Sequence, residues 1–249
     1  MPTRIRTRTA DGAPPPVAVA AGAEVPQLLR LLHLASPALP IGAFHFSQGL
    51  EYAVDVGWVR DEPGALEWID GIAHGSLATL DLPVLQRLHL AWAREDDAAV
   101  LRWNAFLIAC RETDELRLED RHLGAALMRV LAEFGLATPL FPVTAPNIRT
   151  ALTHATAFGF ACARWQIDPL AALQTYLWAW AENQVLAAVK LVPLGQSAGQ
   201  RMLHSLNARL GGLCVAAMGL IDSDIGISTA LQSVASGRHE TQYTRLFRS

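Results

Sequence analysis

Five residues, Gly195-Gln196-Ser197-Ala198-Gly199, carry the one local pattern in this chain that could by itself do covalent chemistry. They match GxSxG, the turn on which α/β-hydrolases hold a nucleophilic serine. Asp222 or Asp224 and then His239 follow in the order such a triad needs. The mechanism requires Ser197 on a sharp turn between a strand and a helix. The preceding AAVKLVPL continues a strongly helical pattern and contains Pro193, which cannot donate to a sheet ladder. No HGGG-type oxyanion loop is present, and about 50 residues follow the serine, little room for the rest of a parallel sheet. A serine hydrolase is the weaker reading. Gly195 and Gly199 read better as a helix stop and a turn.

Other chemistry-bearing residues are dispersed. His33, His45, His74, His89, His122, His154, His204 and His239 include no pair at i, i+3 or i+4, the spacings that set two ligands on one helix face. A metal site built across helices stays open, since neutral imidazole is a common ligand. Taken singly, each reads as a surface or hydrogen-bonded core histidine. Cys110, Cys162 and Cys214 are widely spaced among apolar residues, with no CxxC pair. They read as buried packing in a reducing compartment, so cytoplasmic. No cofactor and no metal site is expected. Walker A, HExxH, GxGxxG and EF-hand patterns are absent.

Lys190 is the only lysine. It ends a nearly uncharged helix, where a cation suits the free carbonyls. The other reading is a partner contact, with Glu182 two turns earlier on the same polar strip.

The elements that must position these residues are helices. Hydrophobic residues make up 51% of the chain and charged residues 17%, against about 25% charged in ordinary soluble domains. Such a composition suits either an interaction protein whose surface partners cover or a compact single-core domain. The net charge of −3 gives no general case for nucleic acid. No apolar run is long and uninterrupted enough for a membrane span. Residues 1–24, with Arg4, Arg6, Arg8 and the Pro14-Pro15-Pro16 run, read as a disordered extension. From Val25 onward the period is helical. Leu28, Leu31, Leu32 and Ala35 form one stripe, and Leu66, Ile69, Ala73 and Leu77 another. Asp61, Asp81, Asn147 and Asp168 are candidate N-caps, the last followed by Pro169 at N1. Gly211-Gly212 suggests a break before a short apolar helix and a final one over 224–235. The segment Thr138 to Asn147 reads as a rigid proline-rich loop inside one domain. No alternating strand run or fixed repeat is present. The expected fold is all-α, a single-domain multi-helix bundle of about ten helices.

Three stretches resist that helical pattern: SPALPIGAFHFSQGLE from Ser36 to Glu51, KLVPLGQSAGQR from Lys190, and HETQYTRLFRS from His239. Together, in this order and spacing, they resemble the urease accessory protein UreF family, over about residues 25–249. At His45-Phe46 the family often has Ser-Tyr or a similar pair. The resemblance implies a non-catalytic, all-helical, homodimeric nickel-insertion chaperone; a simple nickel carrier is an alternative reading. Its implied partners are the accessory protein UreD (also called UreH), the GTPase UreG and the urease apoenzyme. Carried residue by residue, it places partner contacts on Ser36, Pro40, Gly42, Ser47, Gln48 and Glu51 of the loop. It adds Lys190, Gly195 and Gln196, then Arg238, His239, Glu240, Tyr243, Arg245, Phe247 and Arg248. The resemblance says nothing of the 1–24 extension and implies a helical domain at 25–237 and a partner-docking tail at 238–249.

Overall fold

The computed structural model describes residues 25–144, 152–226 and 228–248. The 1–24 extension and the Asn147 cap lie outside the described residues. Among the described residues every regular element is helical and no strand occurs, so the chain is all-α.

Chain order is α1 (Val25–Ala35), a 3-10 turn (Ala43–His45), α2 (Leu50–Asp55), α3 (Glu62–Ile72), a π-helical segment (Ala73–Asp81) and α4 (Leu82–Ala93). Then come α5 (Asp97–Ala109), α6 (Asp114–Glu133), α7 (His154–Arg164), α8 (Pro169–Leu191), α9 (Gln196–Met218), a second 3-10 turn (Asp222–Asp224) and α10 (Ala230–His239).

Local chemistry sets most starts. Asp61 accepts from the Gly64 amide at 2.9 Å, with Pro63 in the first turn of α3. Asp168 accepts from the amides of Leu170 and Ala171, with Pro169 opening α8. Asp96, Thr113 and Thr153 cap α5, α6 and α7 in the same way. Each such cap contributes about 1 kcal/mol.

Asp81 behaves differently from a cap. The chain runs helically from Glu62 through the π segment to Ala93, and Asp81 has helical dihedrals and no capping bond. Its carboxylate is 3% exposed and holds the guanidinium of Arg111, whose Nη1 donates to Oδ2 at 3.1 Å. Arg111 Nε donates to Asp120 Oδ2 at 2.9 Å, and Asp120 Oδ1 receives the His154 amide at 2.6 Å. The buried ion cluster thus joins the π segment, the α5–α6 turn, α6 and the start of α7. Burial opposes the arginine's charge, but Asp81 and Asp120 hold its pKa above the ordinary value.

Gly211 and Gly212 do not break a helix, because α9 is continuous from Gln196 to Met218. Leu206, Leu210, Cys214 and Ala217 bury one face of it. That packing outweighs the roughly 1 kcal/mol that each glycine costs a helix. Gly199 is inside α9 rather than in a turn, where a Cβ would meet Val189 Cγ2 at 2.9 Å. The last helix runs over 230–239, so Ser236 to His239, which show no stripe in the sequence, are helical.

The apolar helix α8 packs against α1, α2, α3, α4, α7 and α9, and its buried face includes Leu173, Leu177, Ala181, Val185 and Ala188. Helix α6 lies close against the start of α7. A Cβ on Gly124 would sit 2.6 Å from the Thr153 carbonyl oxygen and 2.7 Å from that of Leu152. Gly124→Ala is therefore expected to destabilise the fold by about 1–3 kcal/mol. The urea midpoint should fall while the slope of the transition stays unchanged.

Candidate functional site

The irregular loop between α1 and α2 is held by its own residues first. Gly42 (φ 80°) and Gly49 (φ 85°) adopt left-handed backbone, which glycine reaches without steric cost. Gly49 also needs to be small, since a Cβ there would lie 2.9 Å from both Ala235 Cβ and the Ser236 amide nitrogen of α10. Between them Phe46 is 2% exposed and belongs to the core, whereas Phe44 is 50% exposed. Ser47 Oγ accepts from the Glu51 amide at 3.3 Å and so fixes the start of α2.

Gln48 has φ 53°, uncommon for a residue with a side chain. Three elements hold it there. Its Nε2 donates to Glu119 Oε1 of α6 at 2.9 Å, and its Oε1 accepts from Trp180 Nε1 of α8 at 2.9 Å and Gln232 Nε2 of α10 at 3.3 Å. Asn183 Nδ2 donates to the carbonyls of Ala43 and Phe46. The loop is shaped by the surrounding helices and does not hang free.

The C-terminal tail closes on this loop through one buried cluster. His239 is fully buried. Its Nδ1 lies 2.9 Å from Glu115 Oε2 and its Nε2 lies 3.1 Å from Glu51 Oε2. A carboxylate accepts only, so both ring nitrogens must donate, and that requires imidazolium. Arg245 Nη1 reaches Glu115 Oε1 at 3.2 Å. Glu51 also accepts from the amides of Leu246 at 2.6 Å and Phe247 at 2.8 Å. Two carboxylates thus face two cations, and the amides of Leu246 and Phe247 are met. Glu240 Oε1 accepts from the Asp114 and Glu115 amides at the start of α6, where a carboxylate complements the helix dipole. The Arg248 amide donates to the His45 carbonyl at 2.8 Å, joining tail to loop directly.

Lys190 stands at this seam. Its Nζ lies 5.8 Å from the Phe44 ring centroid and 5.7 Å from that of Phe247. Those are cation–π distances to one ring of the loop and one of the tail. Among the described residues it has no carboxylate partner, and the strip shared with Glu182 is not an ion pair. Within the α10 end and the tail, Tyr243 and Leu246 face solvent, Tyr243 completely, and Arg238, Arg245 and Arg248 are exposed.

Of the residues expected to meet partners, Glu51, Lys190, His239, Arg245, Phe247 and Arg248 meet at one seam, with Glu51, His239 and Phe247 buried inside it, while Gln48 is tied to α6, α8 and α10. Ser47 and Gly42 shape the loop from within. Ser36 and Pro40 sit at the loop's other end, while Gly195 and Gln196 are exposed on the α8–α9 turn. Glu115, Glu119, Trp180, Asn183 and Gln232 complete the arrangement and were not singled out by sequence. Glu115 lies in DELRLEDR, where an acidic first turn reads as ordinary helix chemistry.

Burial disfavours the charged form of His239, but the hydrogen bonds and charges of Glu115 and Glu51 outweigh it and raise its pKa. A raised histidine pKa gives stability that is complete below the unfolded value, about 6.5, and lost as pH rises through the folded value. Amide protection of residues 245–248, corrected for intrinsic exchange, should therefore fall between about pH 6 and about pH 9. In His239→Gln it should be low at both. Equal protection across the range would contradict a cationic clamp.

The geometry gives no support to a Ser197 triad. Ser197 is exposed in the first turn of α9, reached from α8 and not from a strand, and His239 is committed to Glu51 and Glu115.

Comparison with known proteins follows the same line. The UreF family model matches residues 59–207. The chain is 48% identical over 221 residues to a urease accessory protein UreF of Alkalilimnicola ehrlichii, covering 88% of this chain and 95% of the relative. A urease accessory protein UreF of Azoarcus sp. is 48% identical over 236 residues, covering 89% and 95%. One from Pseudomonas putida strain GB-1 is 48% identical over 224 residues, covering 89% and 97%. With a family model matched over more than half its length and such relatives spanning nearly all of it, this all-helical chain belongs to the UreF family.

Proposed function

We propose that this chain is a non-catalytic scaffold for urease maturation. It works in the cytoplasm as a homodimer, binds a UreD/UreH-type accessory protein, and recruits the GTPase UreG to the urease apoenzyme for nickel insertion. The observation that carries this reading is the seam of loop, α8 and tail. Buried carboxylates fix the tail's backbone, while Lys190, which has no carboxylate partner among the described residues, and exposed arginines, aromatic and apolar side chains lie at the surface. Arginine and large aromatic residues are the types that anchor protein interfaces. A surface built this way recognises another protein without needing a reacting group of its own.

The test is reconstitution from urease apoprotein, nickel, GTP and the other accessory proteins, with and without this chain. Urease activity is expected to depend on its addition. Full activation without it would remove the proposal.

A further inference from the structure

Beneath the loop lies a cavity of ≈ 120 Å³, bounded by the loop, the π segment, α6, α8 and α10. One water occupies about 10–15 Å³ in this measure, so the space takes a chain of several heavy atoms. Leu77, Leu80 and Leu123 supply apolar wall. The polar lining is lopsided: among the described residues Asp81, Glu112, Glu119, Asp120 and Glu182 bring five carboxyl groups, and Arg111 is the one guanidinium. Arg111 is already engaged by Asp81 and Asp120, so that cluster carries a net negative charge. His154 adds no cation near neutral pH, because burial, with Arg111 acting in the same sense against Asp81, lowers its pKa to about 4.

A second observation is independent of the acids. Tyr176 lines the cavity and is 7% exposed, yet its hydroxyl has no hydrogen-bond partner among the described residues. Burial and then the nearby carboxylates Asp81 and Asp120 keep the phenol neutral. Its ring lies against His154 with centroids 5.2 Å apart, and the imidazole nitrogens of His154 also lack a hydrogen-bond partner among the described residues. Both side chains line the cavity, Tyr176 buried and His154 half-buried, so their unpartnered atoms are open to what fills it. Here two acceptor-bearing side chains stand together at the acidic part of one cavity.

We propose that this cavity binds an alkylammonium or guanidinium group. Its charge faces Glu119 and the Asp81–Arg111–Asp120 cluster. Its N–H groups donate to Tyr176 and His154, and its stem lies along Leu77, Leu80 and Trp180. An anion would meet an excess of carboxylates. Among the described residues no three His, Cys, Asp or Glu side chains are grouped to hold a metal ion. The cation is either a free amine or a lysine or arginine side chain of a docked protein. This site does not depend on the maturation role.

The test titrates the full-length chain with n-butylammonium, n-butanol and N-acetyl-lysine methylamide, following the Trp180 indole N–H by NMR. Butylammonium is expected to give saturable shifts with an affinity about tenfold above that of butanol, the size of one charge-assisted hydrogen bond. Tyr176→Phe and Glu119→Gln, confirmed to be folded by their melting curves, should each weaken it about fivefold or more. Comparable binding of the lysine derivative would assign the source to a protein side chain, and binding of the free amine alone would assign it to a small molecule. Equal affinity for butanol, no saturable shift, or a stronger response to Ni²⁺ than to either amine would overturn the proposal.

Discussion

Glu51→Ala is expected to release the C-terminal tail while leaving the helical core folded. The carboxylate is 7% exposed and serves three donors: His239 Nε2 and the amides of Leu246 and Phe247. Removing it leaves the imidazolium with Glu115 alone and two backbone donors with no acceptor. Breaking a buried charged pair costs about 3–5 kcal/mol when the other charge has nowhere to go. Here it has an escape, since the tail can lift into water. The loss should therefore appear as local opening more than as global unfolding. Amide protection at Leu246 and Phe247 should drop on the order of a hundredfold, which corresponds to about 3 kcal/mol. Trypsin should cut after Arg245 much faster than in the unaltered chain. Capture of a UreD-type partner should fall with it. Protection unchanged within a factor of two or so would show that Glu51 does not hold the tail.

Arg111→Met should have a different effect, lowering the stability of the whole bundle. Asp81 and Asp120 are each about 95% buried or more and face each other across this guanidinium. A methionine fills similar space but leaves two buried carboxylates without a counter-ion, and one of them also holds the start of α7 through the His154 amide. Unpairing charges of this kind costs about 3–5 kcal/mol. For a chain of this size that is a fall in melting temperature of about 10 °C. The loss should shrink at acidic pH, where protonation relieves the unpaired carboxylates. Replacing Asp81, Arg111 and Asp120 together with apolar residues should restore much of the loss, because the cost lies in the unpaired charge and not in the absence of the cluster. A single variant with an unchanged melting temperature would mean that water already reaches the cluster.

The all-α fold was legible in the sequence because its signals are local. Asp61 with Pro63 and Asp168 with Pro169 announce helix starts within four residues, and both work as caps. Asp81 carries the same kind of signal and was misleading: its carboxylate is bound to Arg111, 30 positions away, and no short window contains that partner. Gly211-Gly212 misled for a related reason, since burial of Leu210 and Cys214 decides that helix and local propensity does not. The site was half visible. Motif-length stretches pointed to Glu51, Lys190 and His239, but their junction depends on separations of 124 to 196 residues. Periodicity alone could not divide Phe44 from Phe46. Phe46 enters the core, while Phe44 stays at the surface under Lys190. Glu115 was hidden by its ordinary setting in an acidic first turn.

The most direct measurement is capture of a UreD-type accessory protein by three forms of this chain: intact, cut after Gly237, and altered as Glu51→Ala. Cutting after Gly237 removes His239, Arg245 and Phe247 together, whereas Glu51→Ala keeps every tail residue and removes only its anchor. If loop and tail form one docking face, both changes should weaken capture by tenfold or more, about 1.4 kcal/mol or above. Capture undiminished by either change would contradict that face.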